Sequence, residues 1–178
     1  MSTAERYDHL ANAFTARVRG VQEGGWDAPA PCEGWLARDV VAHLAWMPGL
    51  YLGAVGRPVP ELPTEPVALW ETVDRAVREL LADQTLLAQD TTTMAGQMTL
   101  EALIGMTGLM DVLVHTWDLA RATGQDETLD AAECAAFLEG MEPMDGMIRS
   151  SGQFGPRVPV AEGADPQTKL LAFTGRTP

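Results

Sequence analysis

The sequence predicts an all-α domain, and three observations carry that reading. Apolar residues recur at helical spacing along most of the chain, beginning with Tyr7, Leu10, Phe14, Val18 and Val21. Residues that open or stop helices sit at the ends of those stripes, among them Asp130-Ala-Ala-Glu133 and Gly124. No alternation of strand and helix patterns marks a βαβ unit. With 178 residues the chain can bury a full core, so residues 1–178 are read as one domain.

The first helix is expected over residues 3–22, with His9 on its solvent side, and Gly24-Gly25 ends it. The loop Trp26-Asp-Ala-Pro-Ala-Pro-Cys32-Glu-Gly-Trp35 is rich in turn residues, and its two tryptophans should pin it over the end of the bundle. A second helix begins near Leu36. Its apolar face comprises Val40, Leu44, Met47, Leu50 and Tyr51, with His43 inside it. Pro48 cannot donate to residue 44 and clashes there, so an interruption is expected about a turn after His43. The third helix starts near Glu65-Pro66 with Thr64 as its cap, and it has ended before the run Thr91-Thr-Thr-Met-Ala-Gly96. Asp130 opens a fifth helix that Pro143 and Gly146 disturb, and Asp165-Pro166 begins a last short one that Gly175 stops. The segment from Phe154 to Val160 reads as extended.

The formal net charge of −13 and a pI near 4.4 argue against nucleic acid or an anionic membrane as partner. The opening MSTAERYDHL holds no apolar run, so no signal peptide is expected, and no stretch reaches the length of a membrane span. Cys32 and Cys134 are the two cysteines. They make no disulfide framework and suit a reducing cytoplasm.

The helix expected from Thr99 to Gly124 carries the chemistry. Leu100, Leu103, Ile104, Thr107 and Val114 share a face, and Asp111, His115 and Asp118 lie on that same face. Charged groups in a core stripe are costly unless paired, hydrogen-bonded or bound to a metal. Asp111 and His115 are four residues apart, which puts their Cβ atoms roughly 5–6 Å from each other. Two readings follow. In one, these groups make buried hydrogen bonds, with Asp111 reaching His43 across helices. In the other, His43, Asp111 and His115 form a two-histidine, one-carboxylate metal site. Its open position would lower the pKa of a bound thiol or water. Residue types alone leave both open. Asp118 reads as a hydrogen-bond partner that orients a ligand histidine, with Arg121 as its solvent-side counterion. Trp46 and Trp117 read as pocket wall or core, and Cys32 as a small buried hydrophobe. Met94, Met98, Met106, Met110, Met141, Met144 and Met147 read as core filler or pocket lining.

Four motifs together resemble the DinB-like metal-binding superfamily. They are Pro31-Cys-Glu-Gly-Trp35, Arg38-Asp-Val-Val-Ala-His43-Leu, Val114-His-Thr-Trp-Asp-Leu-Ala-Arg-Ala-Thr-Gly124 and Phe154-Gly-Pro-Arg-Val-Pro-Val160. The branch they resemble is the actinobacterial one related to the N-terminal domain of mycothiol-dependent maleylpyruvate isomerase. The resemblance implies a four-helix bundle of up-down-down-up type, here with an extra C-terminal helix and a short extended tail. It also implies a divalent metal held at His43, Asp111 and His115. The chain departs from the branch in having Asp111 where the isomerases have glutamate, and Leu36 where a Ser or Thr cap is usual. It also lacks the isomerases' second domain, so activity on maleylpyruvate itself is not expected.

The function expected on this basis is that of a metal-dependent thiol transferase-like or isomerase-like enzyme. A low-molecular-weight thiol such as mycothiol would act on a small electrophilic molecule. Zn2+ is the first choice beside a thiolate, and Ni2+ or Fe2+ also suit the donor set. The alternatives are a non-catalytic metal-binding or sensor module and a metal-assisted hydrolase. Homodimerisation is left open.

Overall fold

The computed structural model describes residues 1–93, 96–150 and 154–178. Helix α1 spans Thr3–Gly20 and opens with a full capping box. The Ser2 hydroxyl accepts the Glu5 N–H while the Glu5 carboxylate accepts the Ser2 N–H. Its buried stripe is Tyr7, Leu10, Ala11, Phe14 and Val18.

The second helix is interrupted where proline chemistry requires it. Helix α2 covers Ala37–His43 and α3 covers Trp46–Ala54, with Leu44 and Ala45 between them. Pro48 has no N–H for the Leu44 carbonyl, which accepts instead from Met47 at 3.2 Å in a tighter turn. Helix α4, Pro66–Ala82, is capped by Glu65 rather than Thr64. The longer carboxylate reaches the N–H groups of Val67 and Ala68 at 3.1 and 2.8 Å. Trp70, Val73, Val77, Leu80 and Leu81 form its buried side.

A single turn, α5 (Gln84–Leu87), leads into an antiparallel hairpin of β1 (Asp90–Thr93) and β2 (Gly96–Thr99). This short pair is a small addition within the all-α fold. Thr91, Thr92 and Thr93 are β-branched and pair well as strand once the helix has ended. Met94 lies outside the described residues. Thr99 then caps α6, Leu100–Thr123, by accepting the Ala102 N–H, and Gly124 closes it with φ +67°.

Helix α1 packs against α4 and α6, and the α2–α3 arm packs against the same two. These four form the bundle, with α1 and the α2–α3 arm at opposite corners. Their shared core includes Tyr7, Phe14, Tyr51, Trp70, Ile104 and Leu109. Helix α7 (Ala131–Met141) packs on α9 (Pro166–Phe173) outside the bundle. A 3-10 turn at Glu142–Met144 and the short α8 (Asp145–Ser150) follow α7, as Pro143 demands. Asp130 accepts the Glu133 N–H, but the Glu133 side chain does not complete the capping box. Arg6 of α1 claims it through a fork of contacts at 2.9, 3.1 and 2.5 Å, tying α7 to the bundle. Asp165 caps α9, and Val158 of the extended tail donates to Ala172 at 3.0 Å. The architecture is the expected all-α bundle with an added C-terminal helix. Met106, Met144 and Met147 are exposed rather than filling the core. No helix among the described residues is long and apolar enough to cross a membrane.

Two glycines of α6 separate helix propensity from packing. A Cβ at Gly108 would meet the buried Tyr51 hydroxyl at 2.5 Å, whereas one at Gly105 would meet Thr3 at an ordinary 3.7 Å. Alanine in a helix interior gains about 1 kcal/mol over glycine, and overpacking costs about 1–3 kcal/mol. Gly105→Ala should therefore stabilise the protein in urea titrations and Gly108→Ala should destabilise it. Equal shifts of the same sign would refute this account of the α3–α6 contact.

Candidate metal centre

Three side chains converge where α2 ends and α6 passes. His43 is the last residue of α2 and Trp46 the first of α3, so the break between them sends both toward Asp111. His43 Nε2 lies 3.2 Å from Asp111 Oδ2, and the Trp46 indole N–H donates to that same oxygen at 2.9 Å. The other carboxylate oxygen, Oδ1, lies 3.5 Å from His115 Nε2. His43 is not enclosed in an apolar face as expected. Its side chain is 36 % exposed, and Leu50 on that face is exposed too. Val40, Leu44, Met47 and Tyr51 of that face are buried, so His43 and Leu50 mark its solvent edge. Asp111 is 20 % exposed and His115 only 5 %. One side of the cluster is thus open to solvent and the other is sealed.

Aromatic rings hold the imidazoles in place. The rings of His43 and His115 meet edge to face with centroids 4.8 Å apart. Trp35 stacks on His115 at 5.9 Å with 18° between planes and tilts against His43 at 5.1 Å. A bridge between Pro29 and Leu36 closes the loop that carries this indole, with Ala30 donating to the Trp35 carbonyl at 2.9 Å. Trp35 therefore takes the wall position expected for Trp117. Two residues past His115, Trp117 points about 200° around the helix, where it is buried beneath Arg121 at 4.5 Å.

The sealed side is a charged network. His115 Nδ1 lies 2.8 Å from Oδ2 of Asp118, which has no exposed surface. Arg176 grips that carboxylate with Nε at 3.2 Å from Oδ1 and Nη2 at 2.7 Å from Oδ2. Arg121 is not its counterion, because it pairs with Glu127 at 2.8 Å. Cys32 is half-buried beside the same group, its Sγ 3.6 Å from Asp118 Oδ2 and 3.5 Å from Arg176 Nη2. His9 lies apart from these groups, half-exposed and 3.1 Å from Asp130. Sequence reasoning did not find Trp35, Arg176 or the place of Cys32. Trp35 and Cys32 stand within a motif already singled out, whereas nothing local marks Arg176.

Burial opposes ionisation of Asp111, but hydrogen bonds from His115 and His43 outweigh it and hold the carboxyl well below its usual range. Asp118 is likewise desolvated, yet His115 and Arg176 bring it down to about 2. Burial alone would lower the His115 pKa. Its hydrogen bonds to Asp111 and Asp118 instead raise it to about 9. Desolvation, followed by the nearby Asp118 charge, pushes the Cys32 thiol up to about 11.

The family model described as the mycothiol maleylpyruvate isomerase N-terminal domain matches residues 7–67. That span contains Trp35, His43 and Trp46 and ends before α6. Two uncharacterized proteins of Mycobacterium tuberculosis, MT0763 of strain CDC 1551 / Oshkosh and Rv0738 of strain H37Rv, are each 30 % identical to the chain over 170 residues. The match covers 93 % of this chain and 91 % of theirs. The chain belongs to this actinobacterial branch of the DinB-like family. No solved structure gives a significant match.

Among the described residues of this DinB-like bundle, two groups have metal-compatible donors within 4.8 Å of one another: His43, Asp111 and His115, and Cys32, His115 and Asp118. The second already has a guanidinium on both carboxylate oxygens, and its sulfur is a protonated thiol at neutral pH. The first has two imidazole nitrogens facing one carboxylate, an open rim, and an outer carboxylate on the far nitrogen of His115. Its donor set fits a divalent cation.

The charges also predict how the metal-free protein responds to pH. His115 has a folded pKa raised from 6.5 to about 9, so its contribution is complete below 6.5 and lost as pH rises through 9. Asp111 and Asp118 are lowered from 3.8, so their contributions are present above 3.8 and lost as pH falls through the folded values. Chelator-treated protein should be most stable between those limits and lose on the order of 3 kcal/mol from this histidine by pH 9. Denaturant titrations across that range would check it, with His115→Gln flattening the alkaline limb. An unchanged limb in the variant would contradict the assignment.

Proposed function

We propose that His43, Asp111 and His115 bind a divalent cation and that the protein is a metal-dependent thiol transferase-like enzyme. The observation that supports this is the convergence of three donors from α2 and α6 within 4.8 Å, at a rim open on one side. Three protein ligands with a free position suit a reactive site better than a structural one. When bound, the cation would act as a Lewis acid that lowers the pKa of a coordinated thiol. Zn2+ is the favoured metal for a sulfur partner, and Ni2+ or Fe2+ suit the same donors.

The protein's own groups have distinct tasks in this reading. Asp118 keeps the His115 ring oriented with Nδ1 inward, which turns Nε2 toward Asp111 and the cation position. Trp46 donates to Asp111 Oδ2 and restricts how that carboxylate can rotate. Trp35 and Trp46 shield two sides of the cluster from water, while the exposed edge of His43 marks the entry for substrate. The co-substrate class is a low-molecular-weight thiol, mycothiol by analogy with the family, and its target is a small electrophile. The reducing cytoplasm is the compartment in which such a thiol would be available.

Two experiments test the assignment. Protein purified without a histidine tag should contain stoichiometric metal. His43→Ala, Asp111→Asn and His115→Ala should each weaken binding by more than about 100-fold, beyond the cost of losing an outer partner, while His9→Ala should match wild type. Loss of metal in His9→Ala with retention in the other three would overturn the ligand set. The cobalt-substituted protein should then change its visible absorption on addition of a thiol, because the free position accepts sulfur. A spectrum indifferent to both thiol and azide would favour a non-catalytic binding or sensor module.

A further inference from the structure

We infer that Arg176 is a positioning residue for the candidate metal centre, acting on His115 through Asp118; this rests on the metal assignment above. The contact chain is continuous, and its two central members, Asp118 and His115, are buried. Arg176 makes a two-pronged contact with Asp118, at 3.2 Å to Oδ1 and 2.7 Å to Oδ2. Asp118 Oδ2 then lies 2.8 Å from His115 Nδ1, and His115 Nε2 faces Asp111 at 3.5 Å. A carboxylate with no exposed surface would be very costly as a lone charge. The guanidinium supplies the balancing charge and fixes the carboxylate plane, so Asp118 presents one defined oxygen to the imidazole. That hydrogen bond fixes which nitrogen of His115 carries the proton and which is directed at the cation.

The backbone that delivers Arg176 is built for this contact. Gly175 adopts φ +88°, a conformation that favours glycine, and its Cα approaches Gly155 so closely that a Cβ there would sit 2.9 Å from Gly155 Cα. Arg176 N–H is anchored on the Leu171 carbonyl at 2.9 Å. Its guanidinium also donates to the Thr174 carbonyl at 3.3 Å and to Cys32 Sγ at 3.5 Å. Arg149 secures the same turn from outside by donating to the Phe173 carbonyl at 2.7 Å and to the Gly155 carbonyl. The helix added to the bundle, α9, thus holds an arginine against the back of the metal centre. The separation in sequence is wide, Arg176 lying 58 positions after Asp118.

The test compares wild type with Arg176→Gln, Arg176→Lys and Asp118→Asn, and with the double variant Arg176→Gln/Asp118→Asn. Zn2+ affinity is measured by competition with a chelating dye. Arg176→Gln should weaken it roughly 10–100-fold, the usual range for an outer partner of a ligand histidine. Arg176→Lys, which keeps the charge without the fork, should fall in between. In the Asp118→Asn background, Arg176→Gln should add little, because its effect passes through Asp118. A purely structural role would leave the two losses additive and would overturn the inference. So would wild-type affinity in Arg176→Gln, while leaving the metal assignment intact. The second readout is the His115 Nδ1 proton resonance in metal-free protein, which should move or vanish in Arg176→Gln and Arg176→Lys. If wild type binds no Zn2+, the metal assignment and this inference fail together; where it binds Zn2+, an unmoved resonance overturns the inference alone. Should Arg176→Gln not fold, Arg176→Lys carries both measurements.

Discussion

A carboxylate with no solvent contact is the constraint around which this structure is arranged. Asp118 sits in the C-terminal part of α6 on a face otherwise lined by core side chains. Its ionised form survives burial only because Arg176 and His115 both meet it. The consequences run outward in two directions. Toward α2, the bond to His115 orients the imidazole that faces Asp111 and His43. Toward the C-terminal helix, the demand for a cation requires the glycine turn after α9 and the contacts that secure it. Helix α9 and its tail are therefore coupled to the candidate site through one ion pair, although they pack chiefly on α7.

The local break in the second helix contributes the other half of the site. A continuous helix would carry His43 and Trp46 on one rod. The Leu44–Ala45 interruption lets α2 and α3 take separate axes while both still reach Asp111 Oδ2. The origin is a single residue, since Pro48 withholds the N–H that the Leu44 carbonyl would need. His43 stands partly exposed at the end of α2, giving the cluster an open rim beside the enclosed His115.

Much of this was legible in the sequence, and the failures share a physical cause. The stripes of α1 and α4 are long and periodic, so their buried faces follow the pattern, whereas α6 is buried all round from Val112 to Ala120 and a single stripe understates its enclosure. The Asp111–His115 spacing and the interruption near Pro48 follow from local rules and were readable for that reason. Arg121 was assigned to Asp118 because three residues along a helix is a favourable separation. In the structure Arg121 stacks on Trp117 and pairs with Glu127 instead. The true counterion comes from a turn far along the chain, which no helical wheel can place. Trp117 was a plausible wall by proximity in sequence, whereas Trp35 stands there because a closed loop lays it across both imidazoles. Threonines 91–93 pair as strand because their partner strand follows directly, an interaction invisible to a search for helical stripes.

The balance of charge in the cluster bears on what would bind there. In the metal-free protein, Asp111 and Asp118 are both ionised, Arg176 offsets one of them, and a protonated His115 offsets the other. The buried set is then close to neutral, which accounts for a histidine that keeps its proton despite full enclosure. Occupation by a divalent cation requires His115 to release that proton. The two carboxylates, Arg176 and the cation would then leave one positive charge uncompensated. An anion arriving from the open rim can neutralise it. The thiolate of the proposed reaction is one such anion and a hydroxide is another, while a neutral ligand leaves the charge in place.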